Sequence, residues 1–573
     1  MRVALLTESG YPYARGEGAV WCDRLVRGLA HHDFDVYALS RSPRTEEGGL
    51  VRRPPHVRRV LTERLWGEPP AGTPGPASGG GREARWARRV EFRRHYGEFA
   101  AALAGGTAGG PAPAPVAGGP SAEAGPRADR FAAGLYGLAR LATRHGGLPE
   151  LLRSQDALAA LEAACRAPGV RPLLGDIVVT ELLTVADLLE VQLRPLSAPW
   201  YGPAELGAAE LCHAVSGGPA TLPGLLAKRF RGTPLVVTEY TVRVREALLG
   251  LRAAGFTPAV RALLGAYHRL LAGESYRQAA LVTAGSTHVR RWQERCGARR
   301  DRMRTVHPGI DATRFARAGE AAEAEAAAPA AHAERTVVWV GRPDPAKDLI
   351  ALLHAFRVIR AQERHARLRV FHPPVTDERS AAYLGHCRTL AAQLFPDEAA
   401  HARAVGESPV TFEEIGSPQA PEPADAYAAG DVVLLSSMAE GFPLSLVEAM
   451  LCGRATVSTD VGAVREVIGG TGLVVPPRNP KALAEAALDL LRGPERAARL
   501  GAAARERALA LFTVTRCVDA FRESYLSVVA HDRVRREPRW TRAGSPRPVT
   551  TPAEPLSPTC LAPTAVSSGG PCR

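Results

Sequence analysis

Residues 436–450 read Ser-Ser-Met-Ala-Glu-Gly-Phe-Pro-Leu-Ser-Leu-Val-Glu-Ala-Met, so that two carboxylates, Glu440 and Glu448, flank a glycine-containing turn with seven residues between them. An apolar run ends just before this stretch as a strand end, and Pro443 suits the opening of a helix, whose first turn has no use for its missing N–H. Gly441, Phe442, Pro443, Leu444 and Ser445 then form the turn, presenting the amides of Phe442, Leu444 and Ser445 at a helix N-terminus. Such amides receive phosphate oxygens or hydroxyl groups. Two glutamates so placed can hold two ends of one ligand.

Upstream, residues 340–348 read Val-Gly-Arg-Pro-Asp-Pro-Ala-Lys-Asp. A strand leaves through a Gly-Arg turn, and Lys347 follows Arg342 by five positions, so the two cations can converge. Together they would neutralise charge growing on a departing diphosphate, a task that otherwise often falls to a metal ion. The chain has 72 basic residues and only three are lysines, at 228, 347 and 481, which makes a lysine in such a turn informative.

The elements that must position these groups read as two strand and helix series. Apolar runs at 3–8, 34–40, 208–216, 235–239 and 279–284 are separated by helical patterns and form one parallel sheet. Runs at 336–340, 368–371, 410–412, 432–435, 455–458 and 473–475 form a second. The fold class expected is therefore α/β, with two Rossmann-like, doubly wound parallel sheets facing a cleft and a helical elaboration in the first. The boundaries expected are 1–313 for the first domain, 314–334 for a linker, 335–512 for the second domain, 513–530 for a terminal helix and 531–573 for a disordered tail. Within the first domain, about 67–126 is rich in Gly, Ala and Pro and reads as a flexible insertion, and about 130–193 has helical spacing.

Bulk properties bound the rest. At 573 residues the chain exceeds one core, and 46% apolar with 23% charged residues is an ordinary globular composition. No run approaches a membrane span, and the opening Met-Arg-Val-Ala-Leu-Leu-Thr reads as a first strand rather than a signal peptide. The nine cysteines are scattered singly, so free thiols are expected instead of metal ligands or disulfides. The formal charge of +13 is spread along the chain, with seven arginines after His531, and no basic stripe carries interleaved aromatics. Nucleic acid is therefore not expected as a partner.

The 436–450 segment resembles the E-x(7)-E element of family-4 retaining glycosyltransferases of GT-B fold. In that family the first Glu faces the donor sugar, the second binds the nucleotide ribose, and a Gly-Arg with a following Lys serves the diphosphate. The resemblance thus implies catalytic roles for Glu440, Arg342 and Lys347 and donor binding by Glu448 and by residues 441–445. Residues 459–468, 472–480 and 306–311 are similar to the family's loops in order and spacing. Residues 8–22, 213–216 and 237–246 resemble the subfamily typified by the cytosolic glycosyltransferase of Pel exopolysaccharide synthesis, which places Gly16, Gly18 and Tyr240 at the cleft. Three positions depart from that pattern: Gly16-Glu17-Gly18 where relatives read Gly-Gly-Val, Tyr240-Thr241 where they read His-Gly, and His372-Pro-Pro374 where they place Gly-Pro.

What the resemblance implies is transfer of a sugar, UDP-glucose being the family's suggestion, from a nucleotide diphosphate to a glycan or small-molecule acceptor in exopolysaccharide or cell-surface glycan synthesis. No cofactor or metal is expected, and the expected location is the cytoplasm or the inner face of the membrane beside a polysaccharide-export partner. The alternatives are a catalytically impaired nucleotide-sugar-binding partner of such a complex and a nucleotide-sugar epimerase. Turnover and product analysis distinguish them.

Overall fold

The computed structural model describes residues 1–8, 10–13, 17–41, 46–47, 49–67, 82–105, 124–327, 335–397 and 407–532. The first sheet is built from β1 (Arg2–Glu8), β2 (Asp33–Ser40), β3 (Val57–Arg64), β4 (Leu211–Ala214), β5 (Leu235–Glu239), β6 (Leu281–Ala284) and β7 (Met303–Thr305). All pairings are parallel, in the order β3-β2-β1-β4-β5-β6-β7. The second comprises β8 (Thr336–Val340), β9 (Arg367–His372), β10 (Val410–Glu414), β11 (Val432–Leu435), β12 (Ala455–Thr459) and β13 (Leu473–Val475). It is also parallel throughout, in the order β10-β9-β8-β11-β12-β13. Strands buried on both faces explain the continuous apolar runs, such as Val-Val-Leu-Leu in β11.

Each sheet winds outward from its first strand, then crosses back to continue on the other side. The switch points fall between β1 and β4 and between β8 and β11. At such a point neighbouring connections leave in opposite directions and open a crevice at the carboxyl ends of the strands, where ligands bind in this architecture.

Residues 82–104 overturn part of the flexible insertion expected from 67 to 126. They form the helix Arg82–Ala104, with Phe92, Tyr96 and Phe99 fully buried. The arginines of this helix mask a stripe whose spacings of four and three put the aromatics on one face. It lies against the helix Ala124–His145. A Cβ at Gly134 would sit 2.7 Å from the Phe99 amide nitrogen, and one at Gly137 would sit 2.1 Å from His95 Nδ1. These glycines let the two helices approach. The rest of that insertion, 68–81 and 106–123, lies outside the described residues, as does the expected tail beyond 532.

Two strands went unread in the sequence. β3 carries three arginines, and at the sheet edge Arg59 and Arg2 both reach the buried carboxylate of Asp35, at 3.2 and 2.6 Å. β7 is three residues long. In the linker region, Ala316–Ala327 is helical, and its Glu325 and Glu323 pair with Arg454 and Arg505 of the second domain. The helix Val514–His531 runs back to the first sheet, where Val518, Phe521 and Tyr525 join Val3, Leu5 and Leu25 in one core. No helix among the described residues is long and apolar enough to cross a membrane, and the seven described cysteines are free.

Candidate active site

The second sheet's switch point is where the candidate residues meet. Lys347 lies in the turn after β8 and Glu440 in the turn after β11. Their side chains pair at 2.5 Å, and Ser437 Oγ donates to the same Glu440 oxygen at 2.6 Å. The backbones of the two turns are tied as well: the Met438 amide donates to the Ala346 carbonyl and Ser436 Oγ to the Lys347 carbonyl, both at 2.8 Å. Thr459 Oγ1 donates to the Ser437 carbonyl from the next strand, at 2.6 Å. Glu440 therefore sits in a fixed place, with its side chain only 9% exposed.

Gly462 supports that place from below. Its φ is +57°, and a Cβ there would lie 2.3 Å from the Glu440 carbonyl oxygen. The Ala463 amide donates to the Gly441 carbonyl at 3.1 Å, so the loop after β12 cradles the Glu440 turn. The helix Leu444–Leu451 follows, with Pro443 as its N-cap. Among the described residues no hydrogen bond uses the amides of Gly441, Phe442 or Ser445. Leu444 is a correction: its amide donates to the Phe442 carbonyl at 3.0 Å, because the turn folds back on itself before the helix starts. Glu448, on the second helical turn, accepts from the Tyr427 hydroxyl at 2.8 Å, and burial beside that carboxylate keeps the phenol protonated.

Arg342 is exposed, and the structure does not pair it with Lys347 or Glu440. Its charge acts on Asp377, whose carboxyl is held low first by the Ser380 amide and more weakly by Arg342. The Phe442 ring packs on His307 and Phe512, with centroids 5.7 Å away in both cases. His307 Nδ1 donates to the Gly285 carbonyl at 3.1 Å.

The first domain faces this turn through the end of β5. A Cβ on Gly441 would lie 3.4 Å from Thr241 Cγ2 and 3.7 Å from the Tyr240 carbonyl. Tyr240, expected at the cleft, packs its ring edge-on against Trp21, centroids 4.7 Å apart, and its hydroxyl points at Cys517 Sγ, 3.9 Å away. Gly285 makes room for it, since a Cβ there would meet the Tyr240 ring at 2.3 Å. Burial drives the Tyr240 pKa well up. Gly18 is exposed near the start of the helix Glu17–Gly28, whereas Gly16 and the Glu17 side chain lie outside the described residues.

Several participants were invisible in the sequence. Ser437 and Tyr427 anchor the two glutamates, and Gly462 shapes the turn. Glu466 crosses between domains, accepting from the Thr287 amide at 2.7 Å. Of these, Ser437, Gly462 and Glu466 fall inside the segments 436–450 and 459–468 singled out by their motifs, and Tyr427 lies outside them. No group of three or more His, Cys, Asp or Glu side chains that could hold a metal ion occurs among the described residues.

Two facing Rossmann-like domains with a loop constellation at the second switch point define the GT-B class of fold. Solved structures agree: sucrose-phosphate synthase from Thermosynechococcus elongatus superposes with a TM-score of 0.52, covering 92% of this chain and 99% of that one at 18% identity. Anabaena Alr3699/HepE in complex with UDP does so with a TM-score of 0.51, covering 92% and 100% at 14% identity. Residues 334–493 match the family model described as glycosyl transferases group 1. Residues 1–301 match the model described as domain of unknown function (DUF3492), and the chain belongs to that family. Among curated proteins, the D-inositol 3-phosphate glycosyltransferase of Rhodococcus erythropolis is 33% identical over 53% of this chain, which spans 64% of that relative's length. D-inositol 3-phosphate glycosyltransferase 1 of Catenulispora acidiphila is 30% identical over 54% of this chain and 71% of its own.

Proposed function

We propose that this protein is a retaining glycosyltransferase that moves a sugar from a nucleotide diphosphate to a glycan or other hydroxyl-bearing acceptor. The observation that carries the reading is the Lys347–Glu440 pair at the β8/β11 switch point, beside amides left unpaired by the protein. In this reading Lys347, assisted by Arg342, neutralises the leaving diphosphate, a role the proposal gives to these cations rather than to a metal ion. Glu440 and the amides of Gly441, Phe442 and Ser445 orient the donor sugar, and Glu448 receives the ribose hydroxyls. The acceptor attacks from the face that the nucleotide leaves, through an oxocarbenium-like transition state, and the diphosphate takes its proton. Closure of the two domains excludes water and limits hydrolysis.

UDP is the nucleotide proposed, supported by the HepE complex of the same fold, and glucose the sugar. A role in exopolysaccharide or cell-surface glycan synthesis, in the cytoplasm or at the inner membrane face beside an export partner, completes the proposal. The test is a donor screen that follows free nucleotide released from UDP-, GDP- and ADP-sugars by the purified full chain, with an acceptor panel. Release from one donor, cut by about 10²- to 10³-fold in Glu440→Ala and in Lys347→Ala, is expected, the range seen when one electrostatic contact to a transition state is lost. Nucleotide binding with no release under any acceptor would instead favour a non-catalytic nucleotide-sugar-binding partner.

A further inference from the structure

The first sheet has a switch point of its own, between β1 and β4, and a second constellation lies at its carboxyl edge. A cavity of about 190 Å³ there is lined by Glu8, Ser216, Glu239 and Arg243, and by the exposed Arg41 and Glu246. Tyr240 and Thr241 also line it, and these are the residues that a Cβ on Gly441, beside Glu440, would meet at 3.7 and 3.4 Å. The cavity and the Glu440 turn thus share a wall across the cleft.

Its polar groups are built in and incompletely used. Arg243 Nη2 pairs with Glu8 Oε1 at 2.7 Å. Glu239, 4% exposed, accepts from Gln293 Nε2 at 3.0 Å and from the Tyr276 hydroxyl. Glu8 Oε2, Glu239 Oε1 and Arg243 Nε are buried, and none has a hydrogen-bond partner in the protein. Two glycines run past these atoms: a Cβ on Gly217 would lie 2.3 Å from Glu239 Oε1, and one on Gly218 2.6 Å from Glu8 Oε2. Any side chain at 217 or 218 would crowd the carboxylates. Buried polar groups are almost always satisfied, so unused ones of both kinds in a cavity wall are open to water or to a ligand that carries both donors and acceptors.

Hydroxyl groups both donate and accept, and can therefore serve carboxylate and guanidinium groups together. A phosphate only accepts. It would compete with Glu8 for Arg243, and among the described lining residues it would meet three carboxyl groups against two guanidinium groups. We infer that this cavity is the acceptor subsite and that it takes an uncharged polyhydroxy acceptor, rejecting the phosphorylated form of the same polyol. The inference rests on the glycosyltransferase reading for the word acceptor, while the ligand chemistry rests on the cavity alone.

The test titrates the full chain, with and without saturating UDP, against two matched pairs of probes: glucose with glucose 6-phosphate, and myo-inositol with inositol 3-phosphate. At least one neutral member is expected to bind about tenfold or more tighter than its phosphorylated partner. Glu239→Gln and Glu8→Gln should each weaken that binding by a similar factor while UDP affinity and unfolding midpoint stay near those of the unaltered chain. Glu246→Lys, at an exposed position where folding is not at stake, should narrow the discrimination at least threefold. Tighter binding of a phosphorylated member, no binding by any of the four, or an unchanged ratio in all three variants overturns the inference. Polyol selectivity without UDP binding would leave it standing and remove the nucleotide assigned above, so the two failures are distinguishable.

Discussion

At the scale of single residues, the site depends on fixing a carboxylate that has a cation within reach. Gly462 is the least replaceable support, because its left-handed φ and the 2.3 Å approach to the Glu440 carbonyl both exclude a side chain. Gly462→Ala is expected to displace the Glu440 turn and slow nucleotide release at least about tenfold, equivalent to roughly 1.4 kcal/mol in the barrier. Steady-state release with thermal unfolding alongside would check it, and an unchanged rate would show that the turn tolerates the shift. Buried histidine sets a separate property. His213 is bonded to Tyr525 and Thr238 at 2.6 Å each, and burial pushes its pKa down to about 3, while burial takes His268 to about 4. Between those values and the ordinary 6.5, the unfolded chain binds protons that the folded chain refuses. Stability is therefore complete above about pH 6.5 and falls with acidification, by up to about 1.4 kcal/mol per pH unit for each histidine. Denaturant unfolding at pH 7.5, 6 and 5 should show this decline, and His213→Gln should flatten it.

At the scale of elements, the first domain's helical layer relies on close approach. The helix Arg82–Ala104 buries one aromatic stripe and leaves Trp86 69% exposed on its other side, and the helix Ala124–His145 meets it at two glycines. Gly137→Leu would drive a side chain into His95 and is expected to destabilise the domain by about 1–3 kcal/mol through overpacking. A lowered denaturation midpoint with UDP affinity retained would be the signature, since the layer sits on the first domain and away from the Glu440 turn. In the second domain the short helix Leu444–Leu451 is held by its buried face, Leu446, Val447, Met450 and Leu451.

At the scale of the whole molecule, the described chain passes from the first domain to the second between β7 and Phe315 and returns before the helix Val514–His531. Phe521 of that last helix is fully buried beside Trp21 and His213, with ring centroids 5.6 and 5.4 Å away. Phe521→Ala should cost about 3–5 kcal/mol and unfold the first domain before the second. Domain-resolved hydrogen exchange would reveal that order, and simultaneous loss would mean that the domains unfold as one unit. Glu466, bonded to the Thr287 amide and 3.8 Å from His307, ties the second domain to the first beside the cleft. Glu466→Ala is expected to leave stability almost unchanged but to widen the cleft, seen as a larger radius of gyration in solution scattering.

Sequence by itself determined the two series of strands, because strands buried on both faces are apolar throughout and stand out from helical spacing. All six strands of the second sheet were legible, β8 and β11 from unbroken apolar runs and the half-exposed edge strand β10 from Val-Thr-Phe alone. So were the Gly-Arg-to-Lys turn and the Glu440 segment as separate motifs, since short motifs keep their chemistry local. The tertiary structure alone decided the rest. Charged edge strand β3 and the arginine-coated helix Arg82–Ala104 were hidden because long cationic side chains interrupt the apolar pattern while the residues between them still find a core. Whether Lys347 met Arg342 or Glu440 depended on which turn lay across the β8/β11 switch point, 93 residues away along the chain. Tyr240 turned inward because Gly285 and Trp21, distant in sequence, left it a slot. Spacing encodes what one segment can do; contacts between segments are set by how the sheets are wound.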